Sequence, residues 1–264
     1  MHTVHWVLQD KITSDKDLLK LQKAFKKYNC SYEIVPVIPF DAELPNITPT
    51  CQHVVVYGST VFVERVYQRQ CWQPGVYFSM TKFRPSYWSI LLGDDVLNAD
   101  GYEITLRDVP ERLDDGELYF ARPNDDLKLF PGMVVDKREL MTVVNNTDQL
   151  DSSVWLASPK TVKSEWRFFI VDHQIVTGSQ YRSRGYLNIQ KAVPAGAWAF
   201  ADHAVIKLCN VGSGTYILDI CEYNKEYKVV ELGCLNAAGF YACDIDKIVK
   251  AVVDMETGAS GQVG

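Results

Sequence analysis

The sequence predicts an α+β protein in which a small α/β domain precedes two further lobes, and three observations predict it. The N-terminal part alternates short β-rich runs with helical stripes, which implies a parallel sheet covered by helices. The pattern changes around Asp114-Asp115-Gly116. Beyond that point come two long hairpin patterns, Glu165–Arg182 and Tyr216–Gly233, that need antiparallel pairing.

Each element has a local reason. Val4–Leu8 reads as a strand. Ser14 with Asp17 three residues on forms a capping box for a helix with Leu18, Leu21, Phe25 and Tyr28 on one stripe. Ile34–Ile38 and His53–Tyr57 are further strands, the second leading through Gly58-Ser59-Thr60 into a helix reaching about Gln68. Pro74-Gly75 opens a third unit, and the segment from there to about Arg112 reads as helix and loop. Leu118–Arg122 is a strand, Lys137–Val144 a short helix and Val154–Ala157 a strand. A loop covers Arg184–Ala197 and a helix follows from about Asp202 to Cys209. Ile245, Ile248, Val249 and Val252 mark an amphipathic helix within Asp244–Glu256. The small polar tail Gly258–Gly264 is expected to be disordered. The predicted division is thus 1–114 for the α/β domain, 115–160 and 161–257 for the two lobes, and 258–264 for the tail.

Composition narrows the function. The 264 residues carry 47% apolar and 23% charged side chains, as an ordinary globular protein does. A net charge of −6 without a basic stripe argues against nucleic acid as a partner. No uncharged apolar run approaches the roughly 20 residues of a membrane span, and the N-terminus lacks the basic start of a signal peptide. Seven cysteines, scattered singly and odd in number, fit reduced thiols and a cytoplasmic location better than disulfides or zinc.

Three constellations bear on chemistry. If the last hairpin is centred on Lys225, Tyr223 faces Tyr227 and Asp219 faces Glu231. Like charges placed so repel unless a cation sits between them. The pair therefore reads either as a magnesium site or, with a register slip of one, as a solvated face. In the other hairpin, a turn at Asp172-His173 sets Arg167 opposite Gly178, Glu165 opposite Gln180 and Lys163 opposite Arg182. Glu165, Arg167, Gln180 and Arg182 then form a charged floor, with Trp166, Phe168 and Ile170 on the apolar side. The third is Arg122-Pro123 at a strand end, with Lys128 in the following loop. These residues either bracket an anion or leave Arg122 tied to Asp125 or Asp126. Neither a Walker glycine loop nor G-x-G-x-x-G is present.

In their order along Leu118–Tyr241, these features resemble the ATP-grasp fold, a two-lobe nucleotide clamp. Arg122 looks like its phosphate-side lysine, replaced by arginine. With Lys128, Gly178–Arg182 and Glu231–Asp244, this is similar to a phage and bacterial subfamily. The resemblance implies that Arg122, Lys128 and Lys160 bind phosphates and that the hinge strand residues Trp155, Leu156 and Ala157 read adenine. Glu165 opens the second lobe, and Arg167 and Arg182 face the transferring phosphoryl group and the carboxylate. Asp219 and Glu231 would hold Mg²⁺, with Asn236 supplying the amide because Gly233 stands at the usual third position. The implied activity is ATP-dependent, ADP-forming ligation of a small-molecule or peptide carboxylate to an amine through an acyl phosphate. Alternatives are a kinase on the same scaffold or a catalytically weak nucleotide-binding module.

Overall fold

The runs His5–Gln9 and His53–Tyr57 are short and buried along nearly their whole length because they lie inside a parallel sheet covered by helices. In the computed structural model, which describes residues 2–38, 43–125, 129–211 and 213–259, β1 (His5–Gln9), β2 (Ser31–Val35) and β3 (His53–Tyr57) pair in parallel. β4 (Gln73–Gly75) completes a sheet of order β2-β1-β3-β4. Helix α1 (Asp15–Lys27) starts at Ser14, whose hydroxyl accepts from the Asp17 backbone N–H, and buries Leu21, Ala24 and Phe25. Helix α2 (Thr60–Arg69) starts the same way at Ser59. The predicted helix start and stripe thus hold, although Asp17 accepts from the Ser14 hydroxyl and not from its backbone N–H, so only one half of the capping box is made. The expected third unit at Pro74-Gly75 is β4 followed by α3 (Pro85–Leu92).

The second sheet begins earlier than the sequence suggests. Strand β5 (Tyr102–Thr105), in a stretch read as helix and loop, pairs antiparallel with a strand fifty residues on. Helix α4 (Val109–Arg112), β6 (Leu118–Pro123), β7 (Met133–Asp136), α5 (Lys137–Asn145) and β8 (Ser153–Ala157) complete this lobe, with sheet order β5-β8-β6-β7. Ile104, Leu106, Val109 and Leu113 belong to its core together with Ala121, Leu140 and Leu156. β5 and the residues from Ile104 to Leu113 thus pack with the second sheet, ahead of the expected boundary at 114. β5 escaped notice because it is four residues long and two of them are exposed, which gives no alternation to read.

The third sheet comprises β9 (Ser164–Val171), β10 (Gln174–Ser183), β11 (Tyr186–Gln190), β12 (Tyr216–Tyr223) and β13 (Glu226–Gly233), in the order β11-β10-β9-β12-β13. Every residue of β9 is buried. Trp166, Phe168 and Ile170 pack under α6 (Ala195–Lys207), whereas Phe169 and Val171 join α7 (Ile245–Glu256). The first of these cores also contains Val4, Trp6 and Leu21 of the N-terminal domain. Two sequence readings change here. The loop assigned to 184–197 contains β11, and α6 starts seven residues before the expected Asp202 because Pro194 caps it without a side-chain hydrogen bond. Of the expected tail, only Gly258 and Ala259 fall within the described residues.

Strand register in both hairpins depends on bulges. Val171 faces Gln174 across Asp172-His173 as expected, but extra residues at Val176 and Tyr181 shift the pairing, so Arg167 faces Ser179 and Glu165 faces Arg182. In the last hairpin the turn is Asn224-Lys225, both at positive φ, and Tyr223 faces Glu226 instead of Tyr227. A bulge at Val230 corrects the offset, and Asp219 does face Glu231.

A close approach fixes β8 from below. The indole of Trp155 lies where a Cβ on Gly101 would stand. Gly101→Ala is expected to cost roughly 1–3 kcal/mol through overpacking, measured as a lower urea midpoint with the transition slope unchanged.

Candidate active site

The second and third sheets face one another across a cleft of about 860 Å³ lined by residues of β6, β9, β12 and β13 and of the connection Lys160–Lys163. Its deepest charges lie on adjacent central strands. Arg167 on β9 pairs in register with Asp219 on β12. The guanidinium donates from Nε and Nη2 to the two carboxylate oxygens at 2.8 and 2.7 Å. Asp219 is 1% exposed. Burial pushes its carboxyl upward, with Arg167 pulling against the rise and Glu231 adding to it. For Arg167 burial opposes the charge, but Asp219 outweighs it and keeps the group above the ordinary arginine range.

Two tyrosines enclose this guanidinium. Tyr181 and Tyr241 stack at 4.9 Å, and the Arg167 guanidinium carbon lies 5.6 and 5.1 Å from their ring centres. Tyr241 has φ 50°, a left-handed conformation uncommon for a bulky residue. Tyr181 is the bulge residue of β10, and its hydroxyl donates to Glu165 at 2.7 Å. Arg182 approaches the other Glu165 oxygen at 3.4 Å. Burial raises the Glu165 pKa, against the pull of Tyr181 and Arg182. Both tyrosines stood inside recognisable segments of the sequence. The signal missed was that a bulge turns Tyr181 inward, which spacing alone cannot show.

The upper wall carries Arg122, whose Nη2 donates to Glu231 at 3.1 Å. The two side chains are 11% and 23% exposed, and Asp125 also lines the cleft. Lys160 lines it too, donating to Asp100 at 2.6 Å and to the Ser158 carbonyl at 3.1 Å. The cleft thus brings together Arg122, Lys160, Glu165, Arg167, Arg182, Asp219 and Glu231. Lys128, like Asp126, lies outside the described residues.

Four expected residues lie elsewhere. Trp155, Leu156 and Ala157 lie in β8, where Trp155 and Leu156 pair with both β5 and β6 and Ala157 with β6, and none of the three lines the cleft. The connection after β8 lines the cleft instead. The fourth is Asn236. Its amide is fully buried, with Oδ1 accepting from Tyr77 N–H at 2.7 Å and Nδ2 donating to the Val56 carbonyl at 2.6 Å. The Asn236 carbonyl also accepts from Gly58 N–H. Asn236 joins the third sheet to the N-terminal domain and is not a third metal ligand. Gln180 also leaves the charged floor and bonds the Asn188 carbonyl.

The donor set suits a divalent ion already carried by phosphates. Magnesium is usually held by one or two carboxylates plus substrate phosphates, and Glu231 faces the cleft with Asp219 behind it. Among the described residues no group of three or more His, Cys, Asp or Glu side chains forms a self-sufficient metal site. No helix among them is long and apolar enough to cross a membrane, and all seven cysteines are free.

Two antiparallel sheets closing on a basic cleft, behind a parallel α/β domain, define the ATP-grasp architecture. The solved structures similar to this chain include D-alanine–D-alanine ligase from Bacillus anthracis complexed with ATP. It has 14% identity and a TM-score of 0.58, with 99% of each chain covered. N5-carboxyaminoimidazole synthetase from Staphylococcus aureus, complexed with ADP, matches at 11% identity and TM-score 0.61 over 95% of this chain and 76% of its own. The ATP-grasp ligase PsnB with minimal precursor, Mg and ADP matches at 12% and 0.56, over 97% of each chain. No curated protein sequence matches. The family model described as ATP-grasp domain, R-2-K clade family 2, matches residues 101–251, more than half of the chain, and the chain belongs to that family.

The buried network can be tested at two points. Arg167→Met leaves a buried carboxylate without its partner and should lower stability by about 3–5 kcal/mol. Adding Asp219→Leu should restore most of the loss, read from urea unfolding at neutral pH. Asn236→Leu strands two buried backbone groups at roughly 1–3 kcal/mol each. The urea midpoint should fall while the magnesium dependence of nucleotide binding stays as in the wild type.

Proposed function

We propose that the protein is an ATP-dependent, ADP-forming ligase that activates a carboxylate and joins it to an amine. The observation that carries this reading is the opposition of Arg122 on the second sheet, with Lys160 of the connection, to the Asp219–Glu231 pair on the third sheet across one cleft that Arg182 also lines. Phosphoryl transfer needs mainly positioning and charge neutralisation, and such a cleft offers both. The names of the solved relatives support the class: a D-alanine–D-alanine ligase, a carboxyaminoimidazole synthetase and a peptide-bound ligase share this fold.

Arg122, now on Glu231, would turn to the phosphates as they enter and release that carboxylate. Glu231 and Asp219 would hold Mg²⁺, which supplies charge neutralisation on the phosphates. The connection Lys160–Lys163, outside both sheets, would flank the base. Arg182 would orient the substrate carboxylate. One carboxylate oxygen attacks the γ-phosphorus as the bond to the β-phosphate oxygen breaks, giving an acyl phosphate and ADP. The amine nitrogen then attacks the acyl carbon, phosphate leaves, and the nitrogen loses its extra proton. Arg167 does not reach the phosphoryl group in this scheme. Its donors are engaged by Asp219 and the Gly239 carbonyl, so it positions Asp219.

A second reading, a nucleotide-binding module with weak chemistry, is favoured by one observation: both Asp219 oxygens are already bound by Arg167. Hydroxylamine separates the readings. With MgATP and a pool of amino acids and carboxylic acids, the ligase should form hydroxamate in step with ADP. ADP with a stable phospho-product would indicate a kinase, and no substrate-dependent ADP a binding module. Glu231→Gln should cut hydroxamate formation by at least about tenfold, with the far-UV spectrum of the folded protein retained, although it removes the Arg122 ion-pair partner together with a like charge facing Asp219. Hydroxamate formation at the wild-type rate would remove Glu231 from the site.

A further inference from the structure

The two edges of the third sheet are treated differently. On β13, Leu97 N–H donates to the Val229 carbonyl and Val96 bridges the same residue, so this edge is covered. On β11, no strand among the described residues pairs with the outer edge. This strand also carries exposed apolar side chains: Tyr186, Leu187 and Ile189 are 80%, 70% and 49% exposed. It contains neither the proline nor the charged side chain that commonly blunts an open edge, and its one irregularity is a register shift between Leu187 and Gln190. Its hairpin turn, Arg184-Gly185, lines the cleft, so a chain lying on β11 runs directly to the cleft mouth.

Charge selects the occupant. Although the protein is net −6, no carboxylate side chain occurs between Asp172 and Asp202, while Arg182, Arg184 and Lys191 lie in that interval. The apolar edge is therefore bracketed by cations, with Arg184 before the strand and Lys191 just after it. A second copy pairing antiparallel through β11 would bring the Arg184 end of one copy against the Lys191 end of the other, and like charges facing across strands repel. An extended chain with carboxylates at its ends and apolar residues between them meets both features.

From this we infer that β11 is a docking edge for an acidic, extended peptide, added to the sheet as a further strand. This deepens the ligase reading, on which the peptide's role as the source of the reacting carboxylate rests. Main-chain hydrogen bonds to β11 supply affinity, Tyr186, Leu187 and Ile189 hold apolar side chains of the peptide, and Arg184 and Lys191 fix the ends.

The test uses the full chain and a fluorescein-labelled decapeptide with two Glu at each end and alternating Val and Thr between them, followed by fluorescence anisotropy, with the same peptide carrying Lys in place of Glu as control. The acidic peptide should bind the wild type and the basic one should not. Leu187→Glu and Lys191→Glu should each weaken binding by about tenfold or more, and both residues lie outside the cleft lining. Calorimetry with a non-hydrolysable ATP analogue should give the same affinity for all three proteins. Loss of analogue binding throughout, with the peptide pattern intact, would remove the ligase reading and leave the docking edge standing. Equal binding of the two decapeptides, or unchanged binding in both variants, would overturn the docking edge. So would a concentration-dependent dimer that disappears on Leu187→Glu, because the edge would then serve self-association. Lys191 follows the strand, so its variant keeps the test valid if Leu187→Glu perturbs β11.

Discussion

The cleft depends on one buried ion pair. Arg167 and Asp219 are almost removed from water, and each is tolerable there only because the other is present with two well-formed hydrogen bonds. That requirement fixes the register of β9 on β12, since a slip of β9 by one residue would turn Arg167 into the hydrophobic core on the opposite face and leave Asp219 without its partner. Once the register is set, the bulge at Val230 brings Glu231 opposite Asp219, and the bulge at Tyr181 turns a phenol toward Glu165. The polar lining of the third sheet is thus a set of consequences of a single pairing.

The same strand serves two surroundings. On one face of β9, Trp166, Phe168 and Ile170 pack with α6. On the other, Phe169 and Val171 enter the core shared with α7, whereas Glu165 and Arg167 open into the cleft. The cleft floor and a hydrophobic core are therefore neighbours along one face. The stacked tyrosines mark the border, covering a charge with aromatic surface.

Much of this was legible in the sequence, for reasons that differ by element. Ser14 and Ser59 announce helices by local chemistry, and β-branched runs such as His53–Tyr57 need no partner to be recognised. The pairing of Asp219 with Glu231 was reached by a symmetric count that the chain does not follow. The turn is one residue shorter, and Val230 makes up the difference. The short strands β5, β7 and β11 were missed because their identity comes from a neighbour's hydrogen bonds and not from alternation. Asn236 was misread for the opposite reason. An amide beside a carboxylate strand suggests a ligand, yet its role is set by Val56 and Tyr77, which are distant in sequence. Trp155–Ala157 were expected at the cleft, and nothing local reveals that the lining begins only after β8, at Lys160.

The division of the hydrophobic cores has a mechanical consequence. One core runs without interruption from Trp6 of β1 and Leu21 of α1 to Phe169 of β9 and Val249 of α7, and Asn236 ties the same two parts by hydrogen bonds. The core of the middle sheet shares no residue with the others. The N-terminal domain and the third sheet are thus joined through apolar packing, whereas the middle sheet meets them through the chain connections before β5 and after β8 and through polar contacts such as Arg122–Glu231 and Asn124–Ser86.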